Sequence, residues 1–419
     1  LFQDVYTPDI IPKQRFVAQN FEVKEEEISP ISPTCTAISN GKARIVLSSS
    51  GHIILKDGRD IITSSRQELW GTKHSVSIFL HVDGQVFSPF AITNKNTDAK
   101  FGFSYTATSA TYTACFPRDH SPLAATLTFA LSGMESCFSV SASLEGAYEN
   151  AEFIIAFEPV MMREKDYYAH PAFSKLSVSA EFDAKQSMLI FYRKPRLEDE
   201  NKRYLAVASN TRLCGFDTRM DSALPLMYDT DDLAQLAKRE NKNETGACIN
   251  PFCVWKAGIS NGHCNVVLSY SSERSEAMRI ASKALDTFKN GSHSFFEKNL
   301  WNSARNMLYM SGITDAEAEL CETMQSALTF PFLYHISPEN EQYFSRETLW
   351  EQGISGDYPI VVIDLQNCAY PFDQNITNEL ERLLRAFKYL TMKAERFDLV
   401  ILYCEGERYL SPIRHMLDN

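Results

Sequence analysis

The sequence predicts a large antiparallel β-sandwich followed by a helical region, on three observations. Residues 126–131 (Thr-Leu-Thr-Phe-Ala-Leu) and 137–144 (Cys-Phe-Ser-Val-Ser-Ala-Ser-Leu) alternate apolar with small or polar side chains, as strands with one buried face do. Asn40-Gly41, Asp57-Gly58 and Asp83-Gly84 are hairpin-type dipeptides set between β-type runs. Near Ser271 the apolar spacing changes from alternation to helical stripes.

Residues 1–33, with Pro8, Pro12, Pro30, Pro33 and the acidic run from Glu22 to Glu27, have little periodicity and read as an extended arm on the surface. From 34 to 270 short β-type runs follow one another: Ala43–Ser48, Ile53–Leu55, Val76–Val82, Thr111–Phe116, Ala124–Leu131, Phe138–Leu144 and Phe153–Pro159. More stand at Met188–Tyr192, Tyr204–Ser209 and Val266–Tyr270, enough strands for a large two-sheet sandwich. Trp70-Gly71 and His170–Lys175 are its most unusual spots, and the charged stretch from Arg193 to Arg203 reads as a solvated hairpin tip.

Ala277, Ile280, Ala281, Leu285 and Phe288 make a helical stripe ending at Asn290-Gly291, a C-cap pair. A second helix carries Phe295, Phe296, Leu300, Ala304, Met307 and Leu308 and closes at Gly312. Thr314-Asp315-Ala316-Glu317 is a capping box opening a third, which runs through Leu320, Met324, Ala327 and Leu328. After the loop at 346–359 come an apolar run at 360–365, a helix expected over 378–394, a strand at 399–403 and a last helical stretch. These switches divide the chain into an arm (1–33), a sandwich (34–270), a helical region (271–340) and a last part (341–419).

The bulk numbers exclude several classes of function. At 419 residues the chain is longer than single cores usually grow, and 44% hydrophobic with 22% charged side chains is an ordinary globular composition. Forty-one basic against 53 acidic residues give a formal charge of −12, which repels nucleic acid and anionic lipid and leaves a neutral sugar indifferent. Ten scattered cysteines show no zinc spacing, and Cys115, Cys137, Cys264 and Cys404 stand in apolar runs where a thiol behaves as a small hydrophobe. That usage predicts a reduced, cytoplasmic protein without metal. No apolar run reaches the ~18 residues of a membrane span. The first residue is Leu1, with no charged or apolar leader after it, so the chain is expected to be a piece of something longer.

The stretch Arg346-Glu347-Thr348-Leu349-Trp350-Glu351-Gln352-Gly353-Ile354-Ser355-Gly356-Asp357-Tyr358-Pro359 divides the β-rich from the helical part. Gly353 and Gly356 can take positive φ, so the backbone between them can coil tightly and present Glu351, Ser355 and Asp357 at the mouth of the following strand. The structural reading is a domain-joining turn whose aspartate caps a neighbouring helix and whose Trp350 is a core anchor. The functional reading makes Trp350 a platform for the apolar face of a sugar, with Glu351 and Asp357 beside it. His170, between Ala169 and Pro171, is either a loop imidazole bonded to a carbonyl or a contact to substrate or partner. No nucleophile elbow, phosphate-cradling glycine loop or His-Glu-x-x-His motif is present.

Leu-Trp-x-x-Gly-Ile-Ser-Gly-Asp-x-Pro-Ile at 349–360, His170-Pro-Ala-Phe-Ser-Lys-Leu and Asp398-Leu-Val-Ile-Leu together resemble the inverting glycoside phosphorylase family of cellobiose and chitobiose phosphorylases, glycoside hydrolase family 94. The likeness is strongest to the phosphorylase region of cyclic β-1,2-glucan synthases and to 1,2-β-oligoglucan phosphorylases. It implies a mutarotase-like super-sandwich, a helical linker and the first elements of an (α/α) barrel. It also implies dimers in which sandwich loops lie near the neighbouring active site. The implied reaction has one carboxylic acid protonating the glycosidic oxygen while inorganic phosphate attacks the anomeric carbon from the opposite face, giving α-glucose 1-phosphate. Phosphate is the co-substrate and no cofactor or metal is implied. The family's acid, its Gly-Phe-Arg-Asp segment and its phosphate ligands lie deeper in the barrel than this chain reaches, so no catalytic residue is transferred, and the barrel is expected in the same or another chain. The alternative is a non-catalytic carbohydrate-binding or assembly subunit. A mutarotase-like enzyme would need a histidine and a carboxylate paired on facing strands, and the sequence identifies none.

Overall fold

The computed structural model describes residues 23–25, 34–64, 76–90, 98–118, 121–196, 200–219, 240–248, 250–289, 294–329, 346–405 and 411–418. Trp70-Gly71, the Asn290-Gly291 cap and most of the 1–33 arm lie outside the described residues. The strands begin with β1 (Val23–Glu25), β2 (Cys35–Ser39), β3 (Ala43–Ser48), β4 (Ile53–Asp57), β5 (Asp60–Thr63), β6 (Val76–Val82) and β7 (Gln85–Phe87). Next come β8 (Lys100–Tyr105), β9 (Ser109–Phe116), β10 (Leu123–Leu131), β11 (Cys137–Glu145), β12 (Ala151–Phe157) and β13 (Pro159–Arg163). Helix α1 (Glu164–Ala169) and a 3-10 turn (Pro171–Lys175) lead to β14 (Val178–Asp183), β15 (Met188–Arg193), β16 (Arg203–Ser209) and β17 (Leu213–Arg219). Strands β18 (Gly246–Cys248), β19 (Pro251–Gly258) and β20 (His263–Ser271) complete the β region.

These strands form two layers. One is a continuous antiparallel sheet in the order β1-β8-β9-β10-β11-β20-β16-β15-β14-β18. The other is split into two five-stranded sheets, β17-β19-β12-β6-β7 and β13-β5-β4-β3-β2. The alternation read in the sequence is the burial pattern of β10, where Leu123, Ala125, Leu127, Phe129 and Leu131 all point inward. They share one core with Ile45 and Leu47 of β3, Ile78 and Leu80 of β6, and Trp255 of β19. The split follows from one place: β12 and β13 are separated only by Glu158, the pairing slips between Pro159 and Met162, and Met161 has φ +49°. An irregularity of this kind bends a strand and lets the chain change sheets. Part of the expected arm is β1, an edge strand paired with β8.

The helices follow as α2 (Arg274–Lys289), α3 (Ser294–Ser311), α4 (Asp315–Thr329), α5 (Arg346–Glu351), α6 (Gln374–Met392) and α7 (Pro412–Asp418), with β21 (Ile360–Asp364) before α6 and β22 (Asp398–Leu402) after it. The α2 stripe of Ala277, Ala281 and Ala284 covers the outer face of the ten-stranded sheet at Met188, Ile190, Ala206 and Val267. Leu300 of α3 reaches the sandwich core, while Met307 and Leu308 pack with Ala318 and Cys321 of α4 and Ala386 and Leu390 of α6. The capping box forms as read: Thr314 N–H donates to Glu317 Oε2 at 2.9 Å and Glu317 N–H to Thr314 Oγ1 at 3.3 Å. Helix α6 starts at Gln374, before the expected 378, because the Asp373 carboxylate accepts from Ile376 N–H at 2.8 Å. Strands β21 and β22 pair in parallel.

Arg44 of β3 and Glu395, just beyond α6, form a buried ion pair at 2.7 Å between sandwich and helices. Gln325 of α4 donates to the same carboxylate at 3.0 Å.

Two readings are corrected. Arg193 and Arg203 are buried, so the ends of the charged stretch are not a solvated hairpin tip. Arg193 donates to the carbonyls of Val160 (2.7 Å), Leu176 (2.9 Å) and Ser174, and Arg203 grips both oxygens of Asp60 at 2.7 and 3.2 Å. The planar guanidinium fork can satisfy several acceptors at once, which is what makes its burial tolerable. Cys115 faces outward on β9 and Cys404 is exposed after β22, whereas Cys137 and Cys264 are buried as expected. None of the ten cysteines is in a disulfide. Among the described residues no helix is long and apolar enough to cross a membrane.

Candidate functional site

The loop after α5 has the shape that its glycines require. Gly353 and Gly356 take φ of +76° and +67°, left-handed values that favour glycine. Gly353 N–H donates to Trp350 O at 2.9 Å and Ile354 N–H to Leu349 O at 3.0 Å, so the last carbonyls of α5 are satisfied as the chain turns away. The Trp350 indole Nε1–H donates to Ser355 O at 3.1 Å, yet 56% of the residue is exposed. Trp350 is therefore not a core anchor. A ring fixed by its nitrogen and open over its carbon surface is a flat apolar platform.

Glu351 and Asp357 are exposed beside it, and Asp357 N–H donates to Ser355 Oγ at 3.2 Å. Among the described residues the Asp357 carboxylate caps no helix. Asp398 N–H donates to Pro359 O at 2.9 Å where β22 begins to pair with β21. The fold thus joins two of the three sequence motifs, 349–360 and 398–402.

The third motif stands apart, at the junction of α1 and the 3-10 turn. His170 is exposed; its backbone N–H donates to Asp166 O at 3.0 Å, and its ring lies 5.4 Å from that of Phe173. The imidazole bonds to no carbonyl among the described residues. The segment is held from below by the Arg193 guanidinium, and burial lowers that group to about 10. Above it the Arg196 guanidinium sits 4.5 Å over the Phe173 ring, and Tyr168, Phe173 and Leu176 are exposed. The four candidates fall into two places: Trp350, Glu351 and Asp357 together, and His170 elsewhere.

A further site was not legible in the sequence. His81 of β6 and Glu152 of β12 are register partners on adjacent strands, with Nδ1 and Oε2 2.9 Å apart. The pair lies on adjacent strands of one sheet; the two residues are 71 positions apart and only strand pairing brings them together. They line a cleft of about 860 Å³ at one end of the sandwich, walled by the turns at 83–84, 148–150, 210–212 and 258–260. The pair holds the imidazole through Nδ1, and its Nε2 is buried without a hydrogen-bond partner. Cys214 also lines the cleft, but burial, together with Glu152, pushes its thiol up to about 11. Little thiolate exists at neutral pH, so the cleft holds no ready cysteine nucleophile. Burial likewise lowers the nearby Lys256, against the pull of Glu152 and Asp217. Among the described residues no group of three His, Cys, Asp or Glu side chains is placed to hold a metal ion.

The sequence profile described as "Glycosyl hydrolase 94, supersandwich domain" matches residues 21–260. A search of curated proteins finds no match. Among solved structures the chain is similar to a bacterial glucoamylase complexed with acarbose, at 12% identity and a TM-score of 0.43, covering 73% of this chain and 44% of that one. It is also similar to a family GH92 inverting mannosidase from Bacteroides thetaiotaomicron, at 9% identity and a TM-score of 0.31, covering 68% and 36%. The chain thus spans less than half the length of either structure.

Proposed function

The chain belongs to the glycosyl hydrolase 94 family through its supersandwich domain, and on that premise we propose that it is the N-terminal portion of an inverting glycoside phosphorylase acting on β-glucans. The substrates are β-1,2-glucooligosaccharides and inorganic phosphate, and the product is α-glucose 1-phosphate. In this reading residues 34–270 are the sandwich, 271–340 the helical linker and 341–419 the start of an (α/α) barrel whose remainder is supplied in the same or another chain. The protein works in the cytoplasm, as ten cysteines outside any disulfide favour, and as a dimer.

The loop at 350–357 carries the reading. Its two left-handed glycines set an open Trp350 ring beside Glu351 and Asp357, at the start of the strand that leads into the proposed barrel. A glucose ring has an apolar C–H face and a rim of hydroxyls; the indole suits the first and the carboxylates suit the second. Both carboxylates stand in water on a surface loop, which fits binding better than proton donation, since a general acid needs a shielded site that keeps its proton near neutral pH. The general acid belongs to the barrel. Phosphate takes the position that an activated water takes in an inverting hydrolase, so one carboxyl suffices.

The test is phosphate release from α-glucose 1-phosphate with a β-1,2-linked disaccharide as acceptor. The intact native protein should release phosphate and this chain alone none. In the intact protein Trp350→Ala should raise the acceptor KM by about tenfold, the loss of one stacked ring, with little change in stability. Phosphate release by this chain alone would refute the division of labour. Failure of the native protein with every β-glucoside acceptor would leave the alternative, a carbohydrate-binding or assembly subunit.

A further inference from the structure

The phosphorylase reading makes no use of the cleft around His81 and Glu152, yet the cleft is built. Asp83 Oδ1 accepts from Glu149 N–H at 3.0 Å and from Asn150 N–H at 2.9 Å, which fixes the turn at 148–150 against that at 83–84. On the facing side Asn210 Oδ1 accepts from Asn265 N–H at 2.8 Å and Gly258 N–H donates to Arg212 O at 2.8 Å. The turns at 83–84 and 148–150, and those at 210–212 and 258–260, are therefore tied to each other by hydrogen bonds before any ligand arrives, and a preformed cleft loses little freedom on binding.

Charge and polarity select the ligand class. Asp83 is paired with Arg118 at 3.2 Å and Glu152 with His81 at 2.9 Å, so two of the acidic groups are already engaged. Arg212 and Glu149 are exposed and of opposite sign. An anion would meet three carboxylates, and a cation would meet Arg212 with two of those carboxylates already paired. A hydroxyl donates and accepts at once and suits such a mixed lining. Tyr148, half-buried and packed on the sandwich core, supplies a rigid wall. Chemistry on the sugar is disfavoured: exchanging protons at the anomeric centre needs a donor and an acceptor on either side of the ring, and here the imidazole and the carboxylate are bonded to each other.

We propose that this cleft binds a neutral oligosaccharide through its hydroxyl groups. Arg212 and Asn150 supply the hydrogen bonds and Tyr148 a ring face. The proposal concerns a site on the sandwich and needs no phosphorolysis, so it stands or falls separately from the reading above.

The experiment titrates the chain with β-1,2-linked glucotriose by calorimetry, and follows amide exchange in peptides covering 146–152 and 209–215. Saturable binding with slowed exchange in both peptides is expected. Arg212→Ala and Asn150→Ala, both at exposed positions that leave the core intact, should each weaken binding by about tenfold. Met134→Ala, at an exposed position outside the cleft lining, should leave it within about twofold. Absence of binding would overturn the proposal, as would binding lost in Trp350→Ala and kept in both cleft variants, or protection confined to peptides outside the cleft. Loss of phosphate release with binding retained would count against the phosphorylase reading alone.

Discussion

Replacing Glu395 by alanine tests how the helices are fastened to the sandwich. Arg44 is 2% and Glu395 3% exposed, with 2.7 Å between them, so both charges have been taken out of water. Gln325 of α4 adds a bond to the same carboxylate. Removing one partner of such a pair leaves the other charge buried, at a cost of about 3–5 kcal/mol. Removing both charges, as in Arg44→Met with Glu395→Leu, also removes the desolvation penalty, so the double variant should cost less than either single change, a coupling of at least about 3 kcal/mol. The assay is urea unfolding followed by far-UV circular dichroism on the wild type, both single variants and the double variant. Single variants that each cost under about 1 kcal/mol and add without coupling would refute the argument.

Acid gives an independent arm of the same test. Burial opposes ionisation of Glu395, but Arg44 and Lys56, with the Gln325 amide, outweigh it and hold the carboxyl below its ordinary value of 4.5. A depressed carboxylate contributes stability that is complete above the unfolded value and is lost as the pH falls through the folded one. The wild type should therefore lose stability more steeply below pH 4.5 than Glu395→Gln does. Parallel acid profiles would mean that the pair carries no net stabilisation.

Four further perturbations test separate parts of the fold. Burial lowers the His52 imidazole from 6.5 to about 4. Between those values the unfolded chain takes up a proton that the folded chain refuses, so about 2 kcal/mol of stability should go between pH 6.5 and 5, and His52→Asn should flatten that slope in urea midpoints measured at both pH values. Gly353→Ala meets nothing within 4 Å and should cost only the backbone penalty of about 1–2 kcal/mol, read as faster amide exchange over 350–357. Gly51→Ala, at φ +106° with its added Cβ 2.6 Å from Phe90, should cost clearly more by global unfolding. Arg193→Lys keeps the charge and loses the fork; with charged hydrogen bonds worth about 1.5–3 kcal/mol each, loss of two should release the 171–176 segment, seen as faster exchange there with the sheet core still protected.

What was legible in the sequence was local. Alternation placed β10 and β11, Asn-Gly and Asp-Gly dipeptides placed hairpin turns, and Thr314 with Glu317 placed the start of α4, because each depends on neighbours a few residues away. The shape of the loop at 350–357 was legible for the same reason, since two glycines determine it. The exposure of Trp350 was not, because a tryptophan near an apolar run reads equally as an anchor; only the bond to Ser355 O shows which way the ring is held. Arg193 and Arg203 misled because the residues between them are charged, and nothing local reveals that Asp60, 143 positions from Arg203, waits below. The split of the second layer depends on one slip at Met161, which no periodicity encodes.

The two candidate sites differ in the kind of information that makes them. The Trp350 loop is a short-range object: its glycines and its serine carbonyl lie within one turn of the ring, so it can be read from sequence and can be destroyed by one alanine. The His81 cleft is a long-range object, assembled from four turns and a cross-strand pair, and no single residue announces it. A sandwich can supply such a cleft only because pairing fixes the register of every strand, for a slip of one residue in β6 or β12 would turn His81 or Glu152 to the opposite face. Changes that loosen the core between the layers should therefore abolish binding in the cleft before they disturb the loop after α5, whose bonds are its own. A core variant such as Phe153→Ala on β12, assayed for oligosaccharide binding and for exchange over 350–357, separates the two. Loop exchange that accelerates in step with the loss of cleft binding would show that the two sites share one cooperative unit.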